Sequence, residues 1–286
     1  MKTISDIHIP FQWQAIEIEK LSGTVMVMGS SDSGKSTFAQ WLVNSLCRHH
    51  ERIGWIDGDI GQTTLGIPTT MNLAIVDKPS ERLPQPEATF FVGTTSPRNH
   101  MLPTLVGLLR LKDRAVSGGA TAVVIDTTGF VTRQSGGRYL KHWKIKMLQP
   151  GTLFALQRGD EMEHMLRPLK KDSSHHLHVL PVAETVRSRS SERRASHRRT
   201  LFRRYFQSAT RQIIHYSDLP VYWADTAGRF SLIALQDREG FCLALGVLLK
   251  MREDIMEIVT PLSDVSLIES ICIGSLHLDP ATGIEI

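Results

Sequence analysis

The chain has 286 residues, 41% of them hydrophobic and 22% charged, a composition that is typical of globular proteins and excludes wholesale disorder. The sequence contains no apolar run long enough to cross a membrane and no signal-peptide hydrophobic region at its start. Its three widely spaced cysteines argue against a disulfide framework or a cysteine-based zinc site, so we expect a cytoplasmic protein with no membrane role.

Positive charge is concentrated in one segment. The net charge is +4, but residues 187–204 contain eight arginines and a single acid, Glu192, so this segment carries +7 and the remainder is slightly acidic. Basic residues spread along the chain would predict nonspecific attraction to polyanions. A compact basic segment instead predicts a specific anionic partner.

The first elements lead to a phosphate-binding loop. Alternating apolar residues within positions 1–20 predict a short N-terminal strand or arm, and the apolar run at 24–28 predicts a buried strand. Residues 29–36 then match the complete GxxxxGK[ST] pattern, followed by apolar residues at helical spacing. The predicted nucleotide-binding residues are Gly29, Ser30, Ser31, Asp32, Ser33, Gly34, Lys35, Ser36 and Thr37.

The chemistry of this loop follows from its residue types. Glycines allow the backbone to wrap around phosphate oxygens, and the N-terminus of the next helix adds partial positive charge. We expect Lys35 to reach the β- and γ-phosphates and the Ser36 hydroxyl to bind Mg²⁺. The sequence therefore predicts a site for a nucleoside triphosphate.

Strand and helix patterns continue to alternate along the chain, which predicts an α/β fold: a P-loop NTPase core with a mostly parallel sheet flanked by helices. Strands are expected at 52–57, 88–92, 120–126, 152–156 and 177–180, and helices at 101–116, 138–148 and 190–207. From residue 211 onward the patterns are strand-like, which predicts a small C-terminal β-rich domain. We therefore predict an N-terminal arm (1–20), a P-loop domain (21–210) and a β-rich domain (211–286).

Two acidic strand ends are candidates for chemistry beside the γ-phosphate. Asp57 ends one predicted strand, with Asp59 two residues later, and Asp126 ends another. Ligands of α/β sheets bind at the carboxyl ends of the strands, where such carboxylates hold Mg²⁺ or orient a nucleophile. Asp57 and Asp59 also match the chemistry of a tight turn, so both interpretations stay open.

Several blocks in a fixed order resemble one enzyme family. They are the P-loop, Asp57-x-Asp59 with Gly61-Gln62, the Gly-Thr-Thr-Ser-Pro block at 93–97, Thr127-x-Gly129-Phe130 and the arginine segment. Across residues 21–210 this set resembles the Clp1/Grc3 (NOL9) group of polynucleotide 5′-hydroxyl kinases, in a short form. The resemblance implies transfer of the γ-phosphate of ATP or GTP, with Mg²⁺, to the 5′-hydroxyl end of RNA or DNA.

The resemblance also implies roles for the acids. Asp57 takes the place of the general base that accepts the proton of the 5′-hydroxyl. Asp59 is then expected beside the metal. Asp126 departs from the pattern of the family it resembles, in which an asparagine often stands at this point, so either Asp126 or the Asp57/Asp59 pair is expected to hold Mg²⁺.

Two substrate-binding elements follow from the same resemblance. The family's TxGW "clasp" corresponds to Thr127, Gly129 and Phe130, with a phenylalanine in place of the tryptophan that stacks on the terminal base. A phenyl ring can also stack on any base, although the alternative is that Phe130 packs in the core. Gln62 is expected to contact the substrate as well.

The family's arginine "lid" corresponds to residues 187–204. Arg189 and Arg193 are spaced four apart, on one face of a predicted helix, and are expected to bind the transferring phosphate. Arg194 is expected to bind the substrate. The last four arginines have two open interpretations, contact with a nucleic-acid backbone or a solvated basic face: Arg198, Arg199, Arg203 and Arg204.

Two other functions remain as alternatives. One is a nucleotide-binding scaffold of RNA processing with little catalysis, and the other is a P-loop kinase of a small acceptor such as a nucleoside. The richness of the arginine segment favours a long polyanion, and protein partners are not predicted. Residues 225–229, which resemble a GTPase element, are expected to form a turn between strands.

Overall fold

The computed structural model describes residues 9–132 and 136–286. The chain divides into two compact units. The first comprises Met1–Asp59, Met71–Glu87 and Pro97–Arg189. The second comprises Ile60–Thr70, Ala88–Ser96 and Ser190–Ile286. None of the helices in the described ranges is long and apolar enough to span a membrane.

The secondary structure alternates as expected through the first two thirds of the chain. Within the described residues the strands are β1 (Gly23–Gly29), β2 (Ile53–Gly58), β3 (Thr70–Val76), β4 (Ala88–Phe91), β5 (Ala122–Thr127), β6 (Thr152–Gln157), β7 (His176–Pro181), β8 (Thr210–His215), β9 (Val221–Tyr222), β10 (Ser231–Gln236), β11 (Cys242–Met251), β12 (Ile255–Thr260) and β13 (Ser270–His277). The α-helices are α1 (Phe11–Gln14), α2 (Lys35–Leu46), α3 (Met101–Ser117), α4 (Gly137–Leu148), α5 (Glu163–Leu169) and α6 (Ser191–Tyr205).

The first unit is built on a mostly parallel sheet, which confirms the predicted α/β core. Its strands follow the order β3-β2-β5-β1-β6-β7, and only β3 runs antiparallel to its neighbour β2. The β1, β2 and β5 strands are buried along nearly their whole length because helices cover the sheet. Their apolar runs without alternation are what a buried parallel strand requires.

Of the two predicted forms of the N-terminal segment, a short strand or an arm, the strand is wrong for the residues that the structure describes. Instead of a strand, residues 11–14 form the short helix α1, and Ile18–Lys20 form a 3-10 turn. Trp13 of α1 is buried against Phe38 and Trp41 of α2, with ring centroids 4.9 and 5.4 Å apart. The packing of this aromatic cluster determines the local conformation. The alternation of apolar residues in the sequence does not reveal that packing. Residues 1–8 lie outside the described ranges.

The second unit carries an antiparallel sheet, as the strand-like patterns after residue 210 predicted. The order is β8-β12-β11-β10-β13-β9, with a single parallel pair, β13 and β9, among its described strands. Its alternating side chains form a core that includes Ile233, Ile258 and Ile271. Residues 224–226 form a 3-10 turn before β10, so the GTPase-like element at 225–229 is a turn between strands, as expected.

The unit to which helix α6 belongs differs from the prediction. The helix was expected to belong to the P-loop domain, whereas its residues cluster with the second unit. The reason is apolar packing: Phe202 and Phe206 are buried in a core cluster with Leu232 and Leu245 of that unit's sheet. The basic residues of α6 therefore lie on a helix whose apolar side packs in the core of the β-rich unit.

Candidate active site

The P-loop lies at the carboxyl end of β1, between the two neighbouring strands β5 and β6. The loop leads directly into α2, whose N-cap residue is Gly34, so no N-cap side chain covers the first amides of the helix. Lys35 is buried and its Nζ donates a hydrogen bond to the carbonyl oxygen of Ser30 at 2.8 Å. The strand–loop–helix context that the sequence predicted is confirmed.

One ion pair and several hydrogen bonds support the outer side of this loop. The carboxylate of Asp32 accepts from the backbone N of Arg189 at 3.0 Å and from its Nε at 2.8 Å. Arg158 donates to the Asp32 carbonyl at 2.7 Å, and Ser30 Oγ donates to Glu161 at 3.3 Å. The structure therefore places Arg189 of the predicted lid segment at the edge of the P-loop. Arg189 precedes the N-cap residue of α6, so it does not share a helix face with Arg193 as expected. Ser31 and Thr37 are exposed there.

The two acidic strand ends lie side by side. Asp57 on β2 and Asp126 on β5 are register partners, and Val27 of β1 is the partner of Asp126 on its other side. Both carboxylates are only 1% exposed. Asp57 Oδ1 also accepts from the backbone N of Asp59 at 3.1 Å, so the turn chemistry and the strand-end position coexist. Both acids therefore lie beside the end of β1, where the P-loop starts.

Asp126 is the acid that touches the P-loop. Its Oδ2 accepts a hydrogen bond from Ser36 Oγ at 2.5 Å, and its Oδ1 is buried with no hydrogen-bond partner among the described residues. Burial raises the pKa of Asp126 to about 7; the Lys35 ammonium opposes this shift and the Asp57 carboxylate reinforces it. A buried, unpaired carboxylate oxygen in this position suits a bound cation.

A divalent cation fits this donor set. Mg²⁺ prefers oxygen ligands and is commonly held by one or two carboxylates while keeping several waters. Ser36 and Asp126 present such oxygens. The part of the chain that the structure describes contains no group of three or more His, Cys, Asp or Glu side chains that could hold a metal. The arrangement therefore suits a metal that arrives with phosphate oxygens better than a permanent protein-only site.

Two buried lysines on α4 complete the polar interior, and the sequence reasoning missed both. Lys141 is 1% exposed, and its Nζ donates to Thr127 Oγ1 at 2.5 Å and to the Thr128 carbonyl at 2.7 Å. Lys144 is fully buried, and its Nζ has no hydrogen-bond partner in the described ranges. Burial lowers the pKa of Lys144 to about 8, and the nearby Asp59 and Asp126 carboxylates oppose that shift.

A signal for these lysines exists in the sequence. Leu140, Ile145 and Leu148 mark the buried face of α4, and helical spacing puts positions 141 and 144 on the same face. Lysine is almost never fully buried without a partner. Two lysines on the apolar face of a helix, next to a predicted phosphate site, therefore indicate a polar interior.

The predicted clasp follows β5 directly. The Thr127 hydroxyl is buried and donates to the Val27 carbonyl at 2.7 Å, so it joins β5 to β1 inside the fold. Gly129 lies against the P-loop, because a Cβ there would come within 2.6 Å of the Ser31 backbone N. Phe130 is half-buried, so its ring is neither a fully buried core residue nor fully exposed.

The remaining predicted residues lie in the second unit. Gln62 donates from its Nε2 to the neighbouring Gly61 carbonyl at 2.7 Å. Arg193 and Arg194 stand in the first turn of α6, where the backbone N of Arg193 donates to the N-cap residue Ser190 at 3.2 Å. Their predicted contacts with substrate and phosphate stay predictions.

The last four arginines separate into two pairs. Arg198 forms an ion pair with Glu285, and Arg199 donates from Nε to the Thr282 carbonyl at 3.3 Å, so both hold the C-terminal segment to α6. Arg203 and Arg204 line a cavity of about 520 Å³ near Gln207. The two open interpretations treated the four arginines alike, and the structure gives Arg198 a structural role instead.

The P-loop region matches a family model described as the P-loop of the mRNA cleavage and polyadenylation factor CLP1, over residues 29–208. Among similar proteins is the polyribonucleotide 5′-hydroxyl-kinase of Pyrococcus horikoshii, 28% identical over 92% of this chain and 89% of that protein. The polyribonucleotide 5′-hydroxyl-kinase of Methanocaldococcus jannaschii is 24% identical over 89% of this chain and 87% of its own.

A solved structure has the same fold. A chain of the wild-type Clp1p–Pcf11p complex superimposes with a TM-score of 0.71, covering 93% of this chain and 77% of that one at 13% identity. At that identity the likeness concerns the fold alone. Both units therefore have a counterpart among known architectures.

Proposed function

The chain belongs to the CLP1 P-loop family, and we propose that it is a polynucleotide 5′-hydroxyl kinase, which transfers the γ-phosphate of ATP or GTP to the 5′-hydroxyl end of RNA or DNA. The observation that carries this proposal is the pairing of Asp57 with Asp126 in register beside β1 and its P-loop. One carboxylate is thereby available to the acceptor hydroxyl and the other to the phosphate side.

Asp57 acts as the general base. A 5′-hydroxyl is a weak nucleophile near neutral pH, and a carboxylate that accepts its proton as the bond to phosphorus forms contributes about 10²- to 10⁴-fold in rate. Asp57 is the better choice of the two acids because the Asp126 carboxylate accepts from Ser36 Oγ of the P-loop at 2.5 Å, which places Asp126 on the phosphate side. The proton moves from the hydroxyl to the Asp57 carboxylate, and the leaving group is the nucleoside diphosphate.

The P-loop holds the triphosphate. The first amides of α2 and the Lys35 ammonium surround the phosphates, with Thr37 exposed at the mouth of the loop. Mg²⁺ is the expected metal, held by Ser36 and Asp126 with Asp59 nearby; when bound it neutralises charge on the phosphates. Lys144 supplies positive charge beside the Asp59 and Asp126 carboxylates. Burial lowers the pKa of Lys141 well below its usual range, so Lys141 contributes through its hydrogen bonds to Thr127 and Thr128.

The clasp orients the acceptor end. Gly129 brings the segment onto Ser31 of the P-loop, and Phe130 offers a half-buried ring on which the terminal base stacks. Gln62 and Arg194 contact the acceptor strand. Ribonucleotides are the preferred acceptor, since the relatives are named for polyribonucleotides.

The arginines act on the transferring phosphate. Arg189 is held at the P-loop by Asp32 and precedes the N-cap residue of α6, whereas Arg193 stands in the first turn of that helix. Guanidinium groups bind phosphate oxygens in a bidentate way and stabilise charge that develops during transfer.

The direct test is phosphate transfer. The full chain is incubated with γ-labelled ATP or GTP, Mg²⁺, and RNA or DNA oligonucleotides that carry a 5′-hydroxyl, and label at the 5′ end is measured. A matched control uses oligonucleotides already phosphorylated at the 5′ end, which should take up no label. Tight nucleotide binding without transfer to any oligonucleotide would replace the kinase by a scaffold function.

A further inference from the structure

One face of α4 is exposed and carries large side chains in a row. Tyr139, Trp143 and Met147 are 56, 54 and 48% exposed and follow one another at intervals of four residues. This spacing places them on the same side of the helix, opposite the buried lysines. A row of large, mostly aromatic side chains is unusual on a solvated helix, since soluble proteins seldom leave neighbouring large apolar side chains exposed.

The charged side chains that α4 itself contributes to this face are positive. None of the twelve residues of α4 is acidic, and basic side chains alternate with the aromatic ones. The Arg138 guanidinium lies 4.6 Å from the centre of the Tyr139 ring. The Lys146 ammonium lies 3.4 Å from the Asp172 carboxylate, which partly neutralises its charge. Arg138, at the start of the row, is therefore the main positive charge on this face. Apolar protein partners do not require such charges, whereas a polyanion does.

The face is continuous with the clasp. The Phe130 carbonyl lies against Gly137, the first residue of α4, so closely that a Cβ at Gly137 would collide with it. Phe130, the proposed stacking residue for the terminal base, therefore adjoins the helix end from which the aromatic row starts. Tyr139 is two residues further along the helix.

We propose that the exposed face of α4, formed by Arg138, Tyr139, Trp143 and Met147, is a binding track for the nucleotides that follow the 5′ end of a single-stranded polynucleotide. Bases stack on Tyr139 and Trp143, and Arg138 pairs with the backbone phosphates. Aromatic side chains interleaved with basic ones are the usual platform for single strands, and stacking on them is independent of base identity. This inference rests on the proposed function and extends it from the terminal nucleotide to the strand.

The track has a defined length. Tyr139 and Met147 are eight residues apart, which corresponds to about 12 Å along a helix. Stacked nucleotides repeat about every 3.4 Å, so about three or four bases fit along this face. Acceptors longer than about four nucleotides should therefore bind better than a dinucleotide, and longer extensions should add little.

The experiment compares acceptor lengths in matched variants. KM and kcat for transfer to a dinucleotide and to an octanucleotide, both with 5′-hydroxyl ends, are measured for the wild-type chain and for Tyr139→Ala, Trp143→Ala and the double variant. Phe11→Ala serves as the control, because Phe11 is another strongly exposed aromatic residue of this unit, at 78%. We expect the double variant to raise KM for the octanucleotide about tenfold, and KM for the dinucleotide by much less, because a dinucleotide reaches only the start of the track.

If the wild type and the double variant had equal KM values for the octanucleotide, the inference of a binding track would be overturned. The exposed face would then be better explained as a contact surface for a protein partner. Should no oligonucleotide accept phosphate, the proposed function fails separately, and the track is tested by binding. Fluorescence anisotropy of a labelled octanucleotide, with a non-hydrolysable nucleotide present, should then show the same tenfold loss in the double variant and none with Phe11→Ala. Unchanged affinity would overturn the inference in that case too.

Discussion

Gly129 lies directly on Ser31: a Cβ at position 129 would be 2.6 Å from both the backbone N and the Cα of Ser31. The contact joins two segments that are about a hundred residues apart in the sequence, the clasp after β5 and the P-loop after β1. Only a residue without a side chain permits this approach. The clasp, which we propose binds the acceptor, is therefore in van der Waals contact with the P-loop, which we propose binds the donor.

Gly129→Ala tests that contact. The added methyl group must push the clasp away from Ser31, at a cost of about 1–3 kcal/mol for such overpacking. We expect transfer to fall by at least tenfold and nucleotide affinity to weaken. Gly151→Ala is the matched control, because a Cβ at Gly151 meets nothing within 4 Å. Equal losses in both variants would mean that the effect is one of backbone stiffness alone.

Asp57→Asn tests the general base. The substitution keeps the size and the turn position of the side chain but removes its ability to accept the hydroxyl proton at neutral pH. We expect transfer to fall by about 10²-fold or more, while nucleotide affinity, measured by calorimetry, stays near that of wild type. Asp126→Asn is the comparison variant. Unlike Asp57→Asn, it should also weaken Mg²⁺-dependent nucleotide binding. A near-normal rate for Asp57→Asn would show that the base is another group.

Lys144→Met should make the protein more stable and less active. Burial lowers the Lys144 pKa from 10.5 to about 8, so between these pH values the unfolded chain binds more protons than the folded chain, and stability rises with pH. Below pH 8 the burial penalty is fully present. We therefore expect Lys144→Met to raise the free energy of unfolding by about 2–3 kcal/mol at pH 7 and by much less near pH 10.5.

Denaturant unfolding at both pH values measures this difference, and Lys146→Met, an exposed lysine on the same helix, should change it by less than about 0.5 kcal/mol. Transfer should fall in Lys144→Met because the Asp59 and Asp126 carboxylates lose a fixed positive charge. A variant that is destabilised at both pH values, with normal transfer, would give Lys144 a packing role only.

Arg193→Ala tests the lid. Because its guanidinium is proposed to act on the transferring phosphate, we expect kcat to fall about tenfold or more while nucleotide affinity changes little. Arg187→Ala is the control, since Arg187 belongs to the same basic segment but donates to the nearby Glu184 carbonyl at 2.9 Å. Unchanged turnover in Arg193→Ala would remove this residue from the site.

The salt dependence of oligonucleotide binding separates the remaining arginines. Replacing Arg203 and Arg204 by alanine should flatten the slope of log K against log salt by about 1–2 if they neutralise phosphates. Arg198→Ala should instead lower the melting temperature, because it leaves Glu285 without its ion-pair partner. An unchanged slope in the double variant would assign Arg203 and Arg204 to the solvated surface.

The sequence by itself determined the chemistry-bearing motifs and the fold class. The P-loop and the two acidic strand ends are local patterns, set by strand and helix periods and by glycine positions, and each is recognisable without knowledge of distant contacts. The clasp was predicted from the resemblance to a family motif, which is also local in the sequence. The strands β2, β5 and β6 and the helices α3 and α4 were placed to within two residues at their ends for the same reason.

Only the tertiary structure decided which of these residues act together. The hydrogen bond from Ser36 to Asp126, the contact of Gly129 with Ser31, and the burial of Lys141 and Lys144 join residues far apart in the chain, and no local pattern encodes such distances. The membership of α6 was likewise decided by packing, since Phe202 fits the core of the β-rich unit. Charge counting finds a basic helix, but the burial of its apolar side determines which unit carries it.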